Sequence, residues 1–108
     1  MSLNQVIEVG NLTKDPVEAD VGNGKAANMR LAVNKKYTDV KGKEAEITDY
    51  VDIEAWGRLA ENCLKELRKG DRVIIAGNLR YDEWQDADGN TRSRHKVRAQ
   101  VVGRSLEF

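Results

Sequence analysis

The stretch from Thr48 to Gly70 constrains the fold more than any other part of this chain. It reads as one strand, Asp49 to Trp56, running through Gly57 into one amphipathic helix, Leu59 to Lys69. Side chains alternate across a strand, so Val51, Ile53 and Ala55 point one way and Tyr50, Asp52, Glu54 and Trp56 the other. The first set is apolar and suits a core. The second places two aromatic rings around two carboxylates, a poor core face and an unusual solvent face. Exposed rings on a strand need something to stack on, and nucleic-acid bases are one such partner. In the helix, Leu59, Ala60, Cys63, Leu64 and Leu67 form a stripe at helical spacing. Cations in its last turn and Gly70 beyond it predict a left-handed C-cap.

The remaining segments read as strands. Leu3 to Leu12 is apolar-rich and carries Gly10, the mark of a bulge or sharp bend, before Asp15-Pro16 punctuates it. Val17 to Val21 reads as a short strand closed by the turn Gly22-Asn23-Gly24. From Ala27 to Tyr37, Met29, Leu31 and Val33 share one face while Arg30, Ala32, Asn34 and Lys36 share a cationic one. Asp39 to Glu46 reads as a charged hairpin tip. Arg72 to Trp84 repeats the pattern of the first strand, with Gly77-Asn78-Leu79 echoing Gly10-Asn11-Leu12. After the turn Asp86 to Asn90, the segment from Thr91 to Val102 alternates again. Arg92, Arg94, Lys96 and Arg98 face one way, and Ser93, His95, Val97, Ala99 and Val101 the other. Two strands that each kink at a glycine suit a small closed barrel. The predicted fold is therefore all-β: a five-stranded Greek-key barrel with one α-helix between the third and fourth main strands, the OB-fold, spanning residues 1–108 as a single domain.

Net charge is zero, which by itself argues against a phosphate-binding protein. The charges are segregated, however. Five carboxylates lie between Glu44 and Glu54, four between Asp82 and Asp88, and five cations without a carboxylate among them between Arg92 and Arg104. A single cysteine, Cys63, excludes an intrachain disulfide and reads as a buried hydrophobe, in keeping with a reducing, cytoplasmic compartment. No secretory pattern and no apolar run of membrane-spanning length is present. His95 has no second histidine or cysteine at ligand spacing, so neither metal nor cofactor is expected. No nucleophile pairs with a base, and an enzyme is not expected.

The chain resembles the bacterial single-stranded DNA-binding protein family over nearly its whole length. The resemblance rests on Val9-Gly10-Asn11-Leu12 with Asp15-Pro16, Ala27-Asn28, Leu31-Ala32-Val33-Asn34, Thr48-Asp49-Tyr50, and Gly77-Asn78-Leu79-Arg80 leading to Trp84. Its most specific part is Trp56-Gly57-Arg58-Leu59-Ala60-Glu61-Asn62 followed by Lys69-Gly70-Asp71. It implies an OB-fold that assembles as a homotetramer and wraps single-stranded DNA in replication, recombination and repair. Matched by motif, the family's base-stacking positions fall on Tyr37, Tyr50, Trp56 and Trp84. Arg58 and Arg80 match positions where the family often has a phosphate-contacting cation. Arg30, Lys35, Lys36, Arg92, Arg94, Lys96 and Arg98 are the further candidates for phosphate attraction.

Each assignment has a plainer alternative. Trp56 can close a core, Tyr50 can pack at a subunit interface, and the basic row can pair with the acidic strand instead of DNA. Tyr81, out of phase with Trp84, reads as structural. Asp52, Glu54, Asp82 and Glu83 stand where the family more often has cations or apolar residues, and carboxylates repel phosphate unless neutralised. They favour a second reading, an OB-fold adaptor of primosomal type with weak single-strand affinity and mainly protein partners. The family's acidic C-terminal extension, which recruits replication and repair proteins, does not follow Phe108 here; either it is trimmed or this is a variant without that recruitment.

Overall fold

The computed structural model describes residues 1–20 and 24–107. Its elements are β1 (Val6–Leu12), β2 (Val17–Asp20), β3 (Lys25–Thr38), β4 (Glu44–Trp56), α1 (Gly57–Glu66), β5 (Arg72–Gln85) and β6 (Thr91–Arg104). The strands follow the order β1-β5-β6-β4-β3-β2, and a further pairing of β1 with β3 closes five of them into a barrel. This is the predicted Greek-key OB-fold, with α1 between the third and fourth barrel strands and β2 added as a short outer strand on β3. Val21 and the Gly22-Asn23-Gly24 turn expected after β2 lie largely outside the described residues.

The core follows from alternation. Leu31, Ile53, Ile75, Val73 and Val97, one or two from each of four strands, are the largest fully buried side chains. Alanines at 26, 27, 55 and 60 let α1 lie close against β3 and β4, and Cys63 and Leu67 complete its buried stripe. Burial pushes the Cys63 thiol above its ordinary range, leaving it unreactive at neutral pH.

Of the boundaries that differ from expectation, three shift by three residues or more, for tertiary reasons. The first strand starts at Val6 because the Asn4 side chain takes over the ladder: its Nδ2 donates to Leu79 O and its Oδ1 accepts from Leu79 N, both at 2.8 Å. β4 starts at Glu44, so the hairpin tip shrinks to residues 39–43, because Glu44 and Glu46 pair in register with Thr38 and Lys36. The helix ends at Glu66, since the chain turns extended at Leu67 to bury that side chain. Gly70 is not its cap. It forms the following turn at φ 91°, donating to Leu12 O, while the Asp71 carboxylate accepts from Arg68 N and the Arg68 guanidinium donates to Leu64 O and Leu67 O.

Gly10 and Gly77 are places of close strand approach. A Cβ on Gly10 would sit 2.3 Å from Ala32 O, and one on Gly77 only 2.0 Å from Arg98 O. At Gly77 the β5–β6 register slips, since Ala76 faces Val101 while Gly77 faces Ala99, leaving Gln100 as the extra residue. The slip reverses the phase of β6, so that Val101 turns outward and Val102 packs on the core, against the expectation for Val101.

Overpacking at such a contact costs typically 1–3 kcal/mol. G77A is therefore expected to lose about 1–3 kcal/mol in urea denaturation, whereas G103A, with open space around its position, is expected to match the parent. Equal stability of the two variants would contradict the close approach at Gly77.

Candidate nucleic-acid interface

The barrel closes where β4 meets β6 in a short parallel pairing, Ile53 with Val97 and Glu54 with Arg98. This contact sets two antiparallel ribbons side by side. On the β3–β4 ribbon, Arg30 pairs with Asp52 and Ala32 with Tyr50. On the β5–β6 ribbon, Arg80 pairs with Lys96, Asp82 with Arg94 and Trp84 with Arg92. Alternation puts all of these outward, together with Trp56, on one continuous face. Tyr50, Trp56 and Trp84 expose 58%, 39% and 44% of their surface, so Trp56 does not close the core.

Each of these three rings carries an arginine from a neighbouring strand. The guanidinium carbon of Arg30 lies 4.9 Å from the Tyr50 ring centroid, that of Arg98 4.9 Å from Trp56, and that of Arg94 5.7 Å from Trp84. Such contacts contribute roughly 0.5–1 kcal/mol at exposed sites and fix the ring orientation. An arginine covers one side of a ring, and the exposed remainder stays open to a second planar group.

The carboxylates on this face are neutralised by the basic row. Lys96 Nζ lies 2.6 Å from both Glu54 Oε2 and Asp82 Oδ2, Arg98 Nε 2.7 Å from Glu54 Oε1, and Arg92 Nε 2.9 Å from Asp86 Oδ2. Asp52 faces Arg30 at 4.0 Å. Glu54, expected outside, is buried because β6 folds over it. Burial alone would raise its pKa, but hydrogen bonds from Lys96 and Arg98, the charge of Lys96 and the Trp56 side chain together hold it below the usual carboxylate value. Asp82 is lowered chiefly by its hydrogen bond from Lys96. Burial would lower Lys96, yet Asp82 and Glu54 raise it above the ordinary lysine value. The Lys96 ammonium, expected to attract phosphate, is thus engaged by two carboxylates, and its side chain is only 14% exposed. Arg80 and Arg94 have no ion-pair partner among the described residues and stand open to an anion.

Between the ribbons runs a groove of about 250 Å³ lined by Lys14, Asn28, Arg30, Asp52, Arg94 and Lys96. Lys14, in the loop between β1 and β2, was not among the sequence candidates. Its place was legible in principle, because that loop borders the binding face of an OB barrel.

The other candidates lie apart. Tyr37 pairs with Ala45 near the tip of the β3–β4 ribbon and, with Lys35, has the opposite parity from Tyr50. Lys36 has the parity of Arg30 and Tyr50 but lines a separate cleft with Asn11, Gly70, Arg72 and Arg104. Arg58 is exposed in the first turn of α1, two residues after Trp56. On the reverse side of the β5–β6 ribbon, Tyr81 packs against His95 with ring centroids 5.2 Å apart and donates its hydroxyl to Glu83. His95, expected to face inward or an interface, is exposed there.

A closed barrel whose strand face carries exposed rings backed by cations defines an OB-fold binding module. The chain belongs to the single-strand binding protein family, whose model matches residues 3–105. It is 42% identical over 102 residues to the single-stranded DNA-binding protein of Deinococcus radiodurans, covering 94% of this chain and 34% of that protein. It is 36% identical to single-stranded DNA-binding protein 2 of Chlorobaculum tepidum, covering 93% and 69% respectively. The chain thus spans about a third of the length of the first relative and about two thirds of the second. Among solved structures, it superposes with a TM-score of 0.76 on the small single-stranded DNA-binding protein from Streptomyces coelicolor, at 30% identity and with 98% and 97% of the two chains covered.

The ion-pair cluster gives a pH dependence of defined sign. Glu54 and Asp82 have lowered pKa values, so their contribution to stability is present above the ordinary carboxylate values and disappears as pH falls through the lowered ones. Lys96 is raised, so its contribution disappears only as pH climbs past the usual lysine range. Unfolding free energy measured by urea titration is expected to fall on acidification between about pH 5 and about pH 2, and to fall less in E54Q. An identical acid dependence in the two proteins would show that Glu54 gains nothing from its cations.

Proposed function

We propose that the chain binds single-stranded DNA without sequence preference and coats it during replication, recombination and repair. One observation carries this reading: three exposed rings, each backed by an arginine, lie along one face flanked by Arg80 and Arg94, which have no ion-pair partner among the described residues. Stacking is tolerant of sequence because every base has a flat face, and it contributes roughly 1–3 kcal/mol per base. Arginines supply the second term by displacing counterions from phosphates. Tyr50, Trp56 and Trp84 stack, and Arg30, Arg80, Arg92, Arg94 and Arg98 attract phosphates, with Lys14 joining them from the groove. Tyr37, Lys35, Lys36 and Arg58 are engaged where the strand passes around the ribbon tips and the start of the helix. Lys96 acts by neutralising Glu54 and Asp82. The module is a binding protein and not an enzyme, in keeping with its family.

An outer row of exposed apolar side chains, Ile7 on β1, Ile74 on β5 and Val101 on β6, supports self-association, which we take to be the homotetramer. DNA as ligand places the protein in the cytoplasm, at the nucleoid. No helix among the described residues is long and apolar enough to cross a membrane. Recruitment of replication and repair proteins belongs to an acidic C-terminal extension of the full-length protein, if it has one. Of the carboxylates that favoured the adaptor reading, Asp52, Glu54 and Asp82 each face a cation, and Glu83 lies on the reverse side of the ribbon, accepting from the Tyr81 hydroxyl.

Titration with a long oligothymidylate, followed by tryptophan fluorescence, tests the reading. Strong quenching that weakens with salt is expected, with a slope of about 0.7 per phosphate neutralised. W56A and W84A are each expected to weaken binding roughly 5- to 150-fold while keeping the β-rich circular dichroism spectrum. Absence of binding even at low salt would overturn the reading and turn attention to protein partners.

A further inference from the structure

Glu54 is the one buried charged residue among the described residues, and it sits in the middle of the ring-bearing face. Ion pairing with burial does not by itself account for a carboxylate there, because apolar residues often replace buried pairs at no cost to stability. Its geometry is more specific. Arg98 gives Glu54 only its Nε, at 2.7 Å, and its two terminal nitrogens make no hydrogen bond among the described residues. The guanidinium so held lies 4.9 Å from the Trp56 ring centroid. The other carboxylate oxygen meets Lys96, whose ammonium also meets Asp82.

Resting on the single-strand reading above, we propose that Glu54 is a positioning residue of the strand-binding face. It seats the Arg98 guanidinium on one side of Trp56 with its outer edge free for phosphate, and it keeps Lys96 out of the phosphate path. Anchored through Nε, Arg98 presents two donors in a fixed plane to an oxyanion. The other side of Trp56 is then left for a base, in a stack of arginine, indole and base. Asp82, Lys96, Glu54 and Arg98 together carry no net charge. Removal of the Glu54 charge leaves one cation in excess, which neutralises one more phosphate when DNA binds.

The test separates charge from position. In W84F the remaining tryptophan is Trp56, since the chain has two. Oligothymidylate affinity is measured against salt, and Trp56 emission in the free protein, for W84F, W84F/E54Q, W84F/E54D and W84F/R98K. Glu54→Gln is expected to steepen the salt slope by about 0.7 and to shift Trp56 emission as Arg98 leaves the ring. Glu54→Asp keeps the charge and therefore the parental slope, but its shorter side chain releases Arg98 and shifts the emission. Arg98→Lys also keeps the slope and shifts the emission. A folded Glu54→Gln variant with parental slope and emission would overturn the proposal. Should that variant not fold, unchanged emission in both other variants overturns it instead. Absence of oligothymidylate binding by W84F and by the parent would count against the single-strand reading, while the emission of the free variants still decides whether Glu54 seats Arg98.

Discussion

The short parallel contact between β4 and β6 is the constraint on which the rest depends. Below it, Ile53 and Val97 are buried in the core. Above it, Glu54 and Arg98 meet, and with them an acidic strand and a basic strand that are far apart in the chain. Without this closure the β3–β4 and β5–β6 ribbons would be separate hairpins, each with a charged face of one prevailing sign. With it they become a single surface in which Glu54 of one ribbon is neutralised by Lys96 and Arg98 of the other and aromatic rings from both ribbons point the same way.

That arrangement resolves the apparent conflict between zero net charge and a phosphate-binding surface. Overall charge sums over the whole chain, whereas a bound strand meets only one face. On that face Asp52, Glu54, Asp82 and Asp86 each have a cation within ion-pair distance, and Arg80 and Arg94 are left without a carboxylate partner among the described residues. The arginines do double work, since Arg30 and Arg98 both pair with an acid and lie over a ring. Planarity makes this possible: a guanidinium can give an edge to a carboxylate and a face to an aromatic ring, which an ammonium cannot.

Much of this was legible in the sequence, because the signals were local and periodic. Alternation assigned Val51, Ile53 and Ala55 to the inside and Tyr50 and Trp56 to the outside, and the helical stripe through Ala60, Cys63 and Leu67 is buried. Gly10 and Gly77 marked strand contacts that no Cβ would fit. What escaped depends on tertiary context. Alternation placed Glu54 outside, correctly for its strand, but could not register that β6 folds over it. The slip at Gln100 inverted Val101, and only the partner strand reveals it. The burial of Leu67 ended the helix before Gly70. Lys14 sits in a loop with no period to read, and the three arginine–ring pairs join strands distant in sequence.

The central claim is that the seam where β4 meets β6 is the strand-binding surface. The most direct test is a ¹⁵N-correlated NMR spectrum of the labelled protein, recorded while a short oligothymidylate is added. The account predicts that the indole N–H resonances of Trp56 and Trp84 and the backbone amides around Tyr50, Asp82, Arg94 and Arg98 shift together and saturate at one stoichiometry. Shifts confined to the outer wall around Ile7, Ile74 and Val101, with both indoles unmoved, would contradict it.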